Sequence, residues 1–144
     1  KNFNSGLATL RQIHFALTDL KLHSDWSKDL ELTPDELRRE IAKTTTIIEP
    51  IPEDKFLCAF SHIFAGGYAA GYYSYKWAEV LSSDAYSAFE EIDLTNPIEV
   101  KQVGKRFRET ILSLGGSMHP SEIFELFRGR QPNTDALIRH LGFS

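Results

Sequence analysis

Six segments of the sequence carry the pattern of α-helices, and they predict an all-α fold with almost no strand. Apolar residues recur at intervals of three and four in the longer segments, which places them on one face of a helix. Capping residues followed by proline, Thr33-Pro34 and Asn96-Pro97, mark where two helices begin. With no linker or internal repeat in between, the helices are expected to form one unit over residues 1–144.

The first predicted helix begins near Phe3 and ends near His23. Its apolar residues cover a wide arc, so we expect it to be buried against several neighbours. His14 and His23 are expected to be packed or capping histidines rather than ligands. The wide arc also predicts that the chain by itself exposes apolar surface and self-associates. The two adjacent apolar stripes are Phe3, Leu7, Leu10, His14 and Leu17, and Ile13, Ala16 and Leu20.

The second predicted helix has a complete start signature. Thr33 can cap it, Pro34 fits its first turn and Glu36 completes a capping box. Prolines then force residues 47–52 into an extended conformation, because each disfavours helix in the residue before it. We predict that this segment is a connector.

The third predicted helix begins between Ala69 and Tyr72 and ends near Glu91. One face of this helix should pack in the core. A second face, which carries Tyr68, Tyr72 and Tyr75, should lie about a third of a turn away around the helix axis. The predicted core stripe is Tyr73, Trp77, Leu81, Ala85 and Phe89.

Three more helices complete the prediction. The first of them follows Asn96, has Val103, Phe107 and Ile111 on its buried face and stops at Gly115-Gly116. A short helix then covers Ser121 to Phe127. The last helix runs from Asn133 to Leu141 and is ended by Gly142. Arg128 and Arg130 could bind a peptide carboxylate, but we favour a role in capping helix ends or pairing with nearby acids.

The stretch HIFAGGYAAGYYSY, residues 62–75, is the strongest functional signal. Gly66-Gly67 permits backbone angles and a close backbone approach that side chains would hinder. Tyr68, Tyr72 and Tyr75 would share one face if the segment is helical. Their hydroxyls and the His62 imidazole could donate protons to a developing oxyanion. The alternative is that the tyrosines form a core-facing stripe behind an ordinary loop.

This stretch closely resembles the C-terminal signature of the M3 metallopeptidases, the thimet-oligopeptidase-like enzymes, and is nearest to their oligopeptidase A branch. The similarity extends to RQIHFALTDLKLH near the start and ELFRGRQPNTDAL near the end. It implies a helical C-terminal part of a larger catalytic domain. Lys76 is the one local departure, at a position where relatives usually carry an apolar residue.

The resemblance also implies roles for individual residues. His62, Tyr68 and Tyr75 match positions that contact substrate and stabilise the tetrahedral intermediate. Gly66 and Gly67, with Tyr72 as a weaker candidate, match the mobile substrate-binding loop. The substrates implied are short peptides.

The zinc ligands of the family are missing from this sequence. The family holds zinc through HExxH and a glutamate on the following helix, since two histidines one turn apart face the same metal. None of the five histidines here has a partner four residues on. We therefore expect the zinc, with its activated water, to belong to a preceding part of the enzyme, and this chain to be a fragment that is inactive and metal-free alone.

Composition excludes several classes of protein. A net charge of -4 gives no electrostatic footprint for nucleic acid. No apolar run approaches a membrane span, and the first residues do not resemble a signal peptide. Cys58 is the single cysteine, which fits a reducing, cytoplasmic compartment.

Two functions therefore follow from the sequence. The chain is either the C-terminal fragment of a zinc-dependent oligopeptidase, completed by the missing N-terminal part, or a non-catalytic helical module that binds peptides or a partner and has lost its metal site. An HExxH motif upstream in the same reading frame would distinguish them.

Overall fold

The structure, a computed structural model, describes residues 2–29 and 31–143 and confirms the all-α prediction. These residues contain α-helices, a 3-10 turn at Ser61–Ile63 and a π-helical turn at Arg108–Leu112, and no strand. No described helix is long and apolar enough to cross a membrane. One helix, α3, was not predicted. The helices are α1 (Ser5–Ser24), α2 (Pro34–Thr45), α3 (Phe56–Ala59), α4 (Ser74–Glu90), α5 (Pro97–Phe107), α6 (Pro120–Arg128) and α7 (Asp135–Leu141).

The chain divides into two compact units, residues 1–76 and residues 77–144. The expectation of a single helical unit over residues 1–144 stays a prediction. Each unit has its own apolar core and is described by itself below.

The predicted starts of α2 and α5 and the predicted end of α7 are confirmed. The Thr33 hydroxyl accepts a hydrogen bond from the backbone N–H of Glu36 at 3.3 Å, and the Glu36 carboxylate accepts from the backbone N–H of Thr33 at 2.7 Å, which completes the capping box. Asn96 caps α5 by accepting from the backbone N–H of Ile98 at 3.1 Å. Gly142 ends α7 in the left-handed conformation, with φ 78°.

The buried arc of α1 differs from the predicted stripes. The buried residues are His14, Phe15, Thr18 and Asp19, whereas Phe3 of the predicted stripe is 91% exposed. The difference arises because α1 packs against α2 and, through Phe15, against Phe60, Ile63 and Tyr72. These contacts bury the arc that carries Thr18 and Asp19 rather than the apolar arc beside it. Three residues of the predicted stripes, Leu7, Ile13 and Leu17, are exposed in this chain. Self-association through such residues stays a prediction.

Aromatic rings form the core of the first unit. Phe15 stacks on Phe56 with ring centroids 4.8 Å apart, and it meets the edge of Tyr72 at 5.7 Å. Phe60 and Ile63 complete the buried cluster. The 3-10 turn that contains Ile63 is thereby fixed to α1.

Two arginines of α2 hold the connector between α2 and α3. The Arg38 guanidinium is buried and pairs with Asp35 at 2.9 Å and with Asp54 at 2.9 Å. Arg39 donates to the carbonyl oxygens of Pro50 at 3.1 Å and of Ile51 at 3.1 Å. The predicted connector is confirmed as a segment without helix or strand, but it bends at residues 47–48 rather than running extended, and side chains satisfy its carbonyls.

His14 is packed, as predicted, and its proton can be assigned. Its Nδ1 lies 2.9 Å from Thr45 Oγ1, whose own proton is donated to the carbonyl of Ile41 at 2.7 Å. The His14 Nδ1 is therefore the donor. Burial, followed by the charges of Arg38 and Arg11, lowers the pKa of His14.

The core stripe predicted for the third helix is wrong in part. Tyr73 and Trp77 are exposed, and the buried positions of α4 are Val80, Asp84, Ser87 and Ala88. Ala88 packs with Val103 and Phe127, and the partly buried members of this core include Ala85, Phe89, Phe107 and Ile111. The inward face predicted for α5 is thus confirmed.

A buried aspartate explains this orientation of α4. The Asp84 carboxylate is 0% exposed and accepts from Arg130 Nη1 at 2.7 Å and from the backbone N–H of Asn133 at 2.9 Å. Burial acts to raise the pKa of Asp84, but these hydrogen bonds outweigh it and the pKa lies below its ordinary value. Arg128 pairs with Glu91 at 3.0 Å, so the predicted pairing of both arginines with acids is confirmed.

The Arg38 pairs predict a large and local stability effect. Replacing Arg38 with Met keeps the length of the side chain but removes the cation from Asp54 and one of two cations from Asp35, which still pairs with Arg39. Because these two carboxylates are partly exposed, we expect a loss of about 2–3 kcal/mol in urea unfolding, below the range for a fully buried pair. Arg108→Met is the control, since that side chain is 70% exposed and should change stability by less than about 0.5 kcal/mol. Equal losses in the two variants would contradict the role of Arg38.

The His14 environment predicts a loss of stability in mild acid. The unfolded chain binds a proton at His14 as the pH falls through 6.5, whereas the folded chain binds it only at lower pH. Stability should therefore fall between about pH 7 and about pH 5, a range that follows from the lowered pKa. His14→Gln keeps a donor for Thr45 without titrating, so its urea midpoint should fall less over that range. An unchanged pH dependence in His14→Gln would count against this assignment.

Candidate functional site

Residues 61–75, here called the glycine loop, begin with a compact turn. The carbonyl oxygen of Ser61 accepts from the backbone N–H groups of Phe64, Ala65 and Gly66, at 3.1, 2.9 and 2.8 Å. The carbonyl of His62 then accepts from the N–H of Tyr68 at 3.0 Å. The turn brings the backbone of residue 66 directly onto that of residue 62.

Both glycines of the pair are required by this turn, for different reasons. A Cβ at Gly66 would lie 2.9 Å from the Cα and 2.9 Å from the carbonyl oxygen of His62, too close for any side chain. Gly67 has space around it but adopts φ +79°, a conformation that favours glycine. The close backbone approach predicted for this pair is confirmed, and a substrate-binding role stays a prediction.

The tyrosines are not aligned by a helix, contrary to the expectation from their spacing. Residues 68–73 form turns, Ala70 has φ 55°, and α4 begins only at Ser74. The reason is a competing partner, because the N–H groups of Ala70 and Tyr72 donate to the carboxylate of Asp19 on α1. These bonds hold Ala70 at φ 55°, outside the helical region, so the helix begins only after this residue.

The turns nevertheless bring the rings together. We call His62, Tyr68, Tyr72 and Tyr75 the tyrosine cluster. Tyr68 stacks on Tyr75 with ring centroids 5.2 Å apart, and Tyr72 lies 5.0 Å from Tyr75. The His62 ring lies 6.3 Å from Tyr68 and 5.9 Å from Tyr72. All four side chains therefore share one small region of the first unit.

One proton in this cluster is already committed. A hydrogen bond with Tyr68, followed by burial, raises the pKa of Tyr75. The Tyr68 and Tyr75 hydroxyls share this hydrogen bond, which uses one of their two protons. The proton of the other hydroxyl therefore remains available. Tyr75 is 40% exposed and His62 is also exposed, so an incoming group can reach the cluster.

Tyr72 differs from the other members because it is part of the core. It is 8% exposed, and its ring lies against Phe60 at 5.1 Å. Burial raises the pKa of Tyr72, although a hydrogen bond from the side chain of Gln12 opposes this effect. Tyr72 thus forms the base of the cluster and ties it to α1.

Asp19 is the residue of this site that the sequence did not single out. Its carboxylate is 0% exposed and contacts the glycine loop at Ala70 and Tyr72, at 2.9 and 2.8 Å. The available signal was an acidic residue inside the apolar segment FALTDLKL, because a charge there requires partners when the helix is buried. The identity of those partners was not deducible from the sequence.

The described residues do not fit the zinc that the family signature implies. Within residues 2–29 and 31–143, no three His, Cys, Asp or Glu side chains come together as metal ligands. His14 and His23 are engaged with Thr45 and Asp19, and His140 lies 2.8 Å from a carboxylate oxygen of Glu90. What the site offers is a group of phenols and one imidazole.

Comparison with known proteins shows the family. The model of Peptidase family M3 matches residues 1–143. A protein of Arabidopsis thaliana named probable cytosolic oligopeptidase A is 53% identical over 99% of this chain and 20% of its own length. The organellar oligopeptidase A of the same plant is 51% identical over 99% of this chain and 18% of its own length. Oligopeptidase A of Escherichia coli is 45% identical over 99% of this chain and 20% of its own length. The chain spans about one fifth of these curated relatives, and it belongs to peptidase family M3.

Proposed function

We propose that this chain forms part of the substrate-binding wall of a zinc-dependent oligopeptidase that cleaves short peptides. The observation that carries the proposal is the pairing of Tyr68 with Tyr75 on the constrained glycine loop, which leaves one phenol proton free beside the exposed His62. Membership of family M3 supports the reaction class, and the names of the relatives support oligopeptides as substrates.

In this proposal, the Tyr68–Tyr75 pair stabilises negative charge on the scissile peptide bond. One phenol of the pair donates to the other and orients it, and the second phenol donates to the carbonyl oxygen as charge develops there. A donor that is already oriented is worth more in the transition state than in the ground state. His62 holds the peptide backbone before and during the reaction.

The glycines and Tyr72 support these donors. Gly66 allows the loop to fold back onto His62, and Gly67 supplies the left-handed turn. Tyr72 packs below the two accessible phenols, so we propose that it contacts substrate less than they do.

The zinc and its ligands are proposed to lie outside residues 1–144. Family M3 is generally zinc-dependent, but the described residues provide no ligand set. The rest of the enzyme is therefore the proposed partner of this chain. A cytoplasmic location is proposed from the single cysteine and from the cytosolic relative.

The donor roles predict how the complete enzyme responds to loss of single hydroxyls. Tyr68→Phe and Tyr75→Phe keep the rings, so folding should be retained while kcat falls about 10²–10³-fold, as for the loss of one oxyanion donor. Tyr72→Phe should cost less, and His62→Ala should change both kcat and KM. The measurement is steady-state kinetics on a short fluorogenic peptide, with zinc content checked in each variant.

Tyr73→Phe is the matched control for these variants. Tyr73 lies in the same loop but is exposed and outside the tyrosine cluster, so its loss should leave kcat unchanged. If Tyr68→Phe and Tyr75→Phe both behave like this control, the tyrosines serve packing and the proposed function fails.

A second prediction concerns the chain by itself. Residues 1–144 alone should hydrolyse no peptide and retain no zinc after treatment with a chelator, because no ligand cluster is present in the described residues. Elemental analysis and a fluorogenic peptide assay test both points. Stoichiometric, chelator-resistant zinc would refute the prediction. A gene without HExxH upstream of these residues would instead favour a non-catalytic peptide-binding module.

A further inference from the structure

We propose that Asp19, assisted by His23, is the positioning residue of the tyrosine cluster: its carboxylate holds the glycine loop in the conformation that the phenols need. This inference rests on the proposed function for its catalytic consequence. The structural part of it, the hold on the loop, can be tested separately.

The first argument is the arrangement of donors around the carboxylate. Asp19 Oδ1 accepts from the N–H of Ala70 at 2.9 Å, and Oδ2 accepts from the N–H of Tyr72 at 2.8 Å. Each oxygen therefore has its own backbone donor, two residues apart. Since the carboxylate is 0% exposed, water cannot replace either bond, and charged acceptors in such surroundings bind strongly.

The second argument is what these bonds fix. Ala70 adopts φ 55°, which is unfavourable for a residue with a Cβ and persists only where surrounding contacts impose it. The two bonded amides flank Gly71 and immediately precede α4. Tyr72 carries one ring of the cluster, and the N–H of Tyr75 bonds to the Tyr72 carbonyl at 3.3 Å. The direction in which Tyr75 leaves the loop therefore depends on the Asp19 bonds.

The third argument is the role of His23, one helical turn after Asp19. Its Nδ1 lies 2.8 Å from Asp19 Oδ1 and 2.8 Å from the carbonyl oxygen of Asp19. The Nδ1 proton is donated to the carbonyl oxygen of Asp19, and the ring lies against the carboxylate oxygen that holds Ala70. His23 thus restricts the rotation of the carboxylate, so that its two oxygens face the two loop amides.

Asp84 provides a matched control for burial of a carboxylate. It is also 0% exposed and also accepts a backbone N–H, that of Asn133, but it belongs to the second unit and holds no member of the tyrosine cluster. A purely structural role for Asp19 predicts the same kinetic result for the two aspartates. A positioning role predicts different results.

The kinetic test uses the complete peptidase with Asp19→Asn, Asp84→Asn and His23→Ala. Asp19→Asn turns an N–H donor toward one of the two loop amides, so the loop should shift and kcat should fall about 10–100-fold, the range expected for a misplacement on the order of 1 Å. KM should change by less than about threefold, because the lost interaction belongs to the transition state. His23→Ala should lower kcat less than Asp19→Asn. Asp84→Asn should lower the melting temperature while leaving kcat within about twofold of wild type.

Amide hydrogen exchange tests the hold on the loop without relying on activity. In the wild-type enzyme, the amides of Ala70 and Tyr72 should exchange slowly although they lie outside any helix, and in Asp19→Asn their protection should fall while that of α2 remains. Fast exchange at both amides in the wild type overturns the proposal, even if Asp19→Asn does not fold. Lost protection with unchanged kcat also overturns it. If Tyr68→Phe and Tyr75→Phe keep wild-type kcat while the two amides are protected, the proposed function fails and the catalytic role of Asp19 fails with it.

Discussion

Each unit of this chain depends on one fully buried carboxylate that holds a loop to a helix. Asp19 on α1 binds two amides of the glycine loop, and Asp84 on α4 binds Arg130 and the amide of Asn133. A buried charge is costly unless hydrogen-bond donors surround it. Each loop must therefore keep its donor groups beside the buried carboxylate, and this requirement fixes the position of the loop. The turns, the late start of α4 and the orientation of both helices follow from this requirement.

The same requirement explains which parts of the fold were predictable from sequence. The caps of α2 and α5 are local, and the sequence predicted them correctly because the donor and the acceptor lie within three residues. The buried arcs of α1 and α4 were predicted from apolar spacing and were partly wrong, since a buried aspartate lies on each arc. The partners of Asp19 lie 51 and 53 residues away, a separation that periodicity does not describe. The short helix α3 carries no cap signal of its own.

The sequence likewise predicted part of the candidate site and missed another part. Its residues were identified through the family signature, and membership of family M3 is confirmed. The shared helical face predicted from their spacing is wrong, because Tyr68 and Tyr72 lie outside any helix. Tyr72 is buried because it contacts Phe15, Phe60 and Gln12, whereas Tyr75 stays accessible. These contacts join residues that are distant in the sequence, so the spacing of the tyrosines does not reveal them. The residues were therefore predictable, whereas their unequal exposure was not.

The glycine loop combines anchored ends with accessible phenols. Its start is closed by the Ser61 carbonyl and its end is held by Asp19. The phenols of Tyr68 and Tyr75 nevertheless stay at the surface, because they stack on each other above Tyr72 rather than entering the core. Donors that stabilise a transition state must be held in place before the charge appears, since reorganising them during the reaction would cost what they contribute. A loop anchored by a buried carboxylate meets that condition, and the interaction that disrupts the helix at Ala70 is then the one that prepares the phenols for their proposed role.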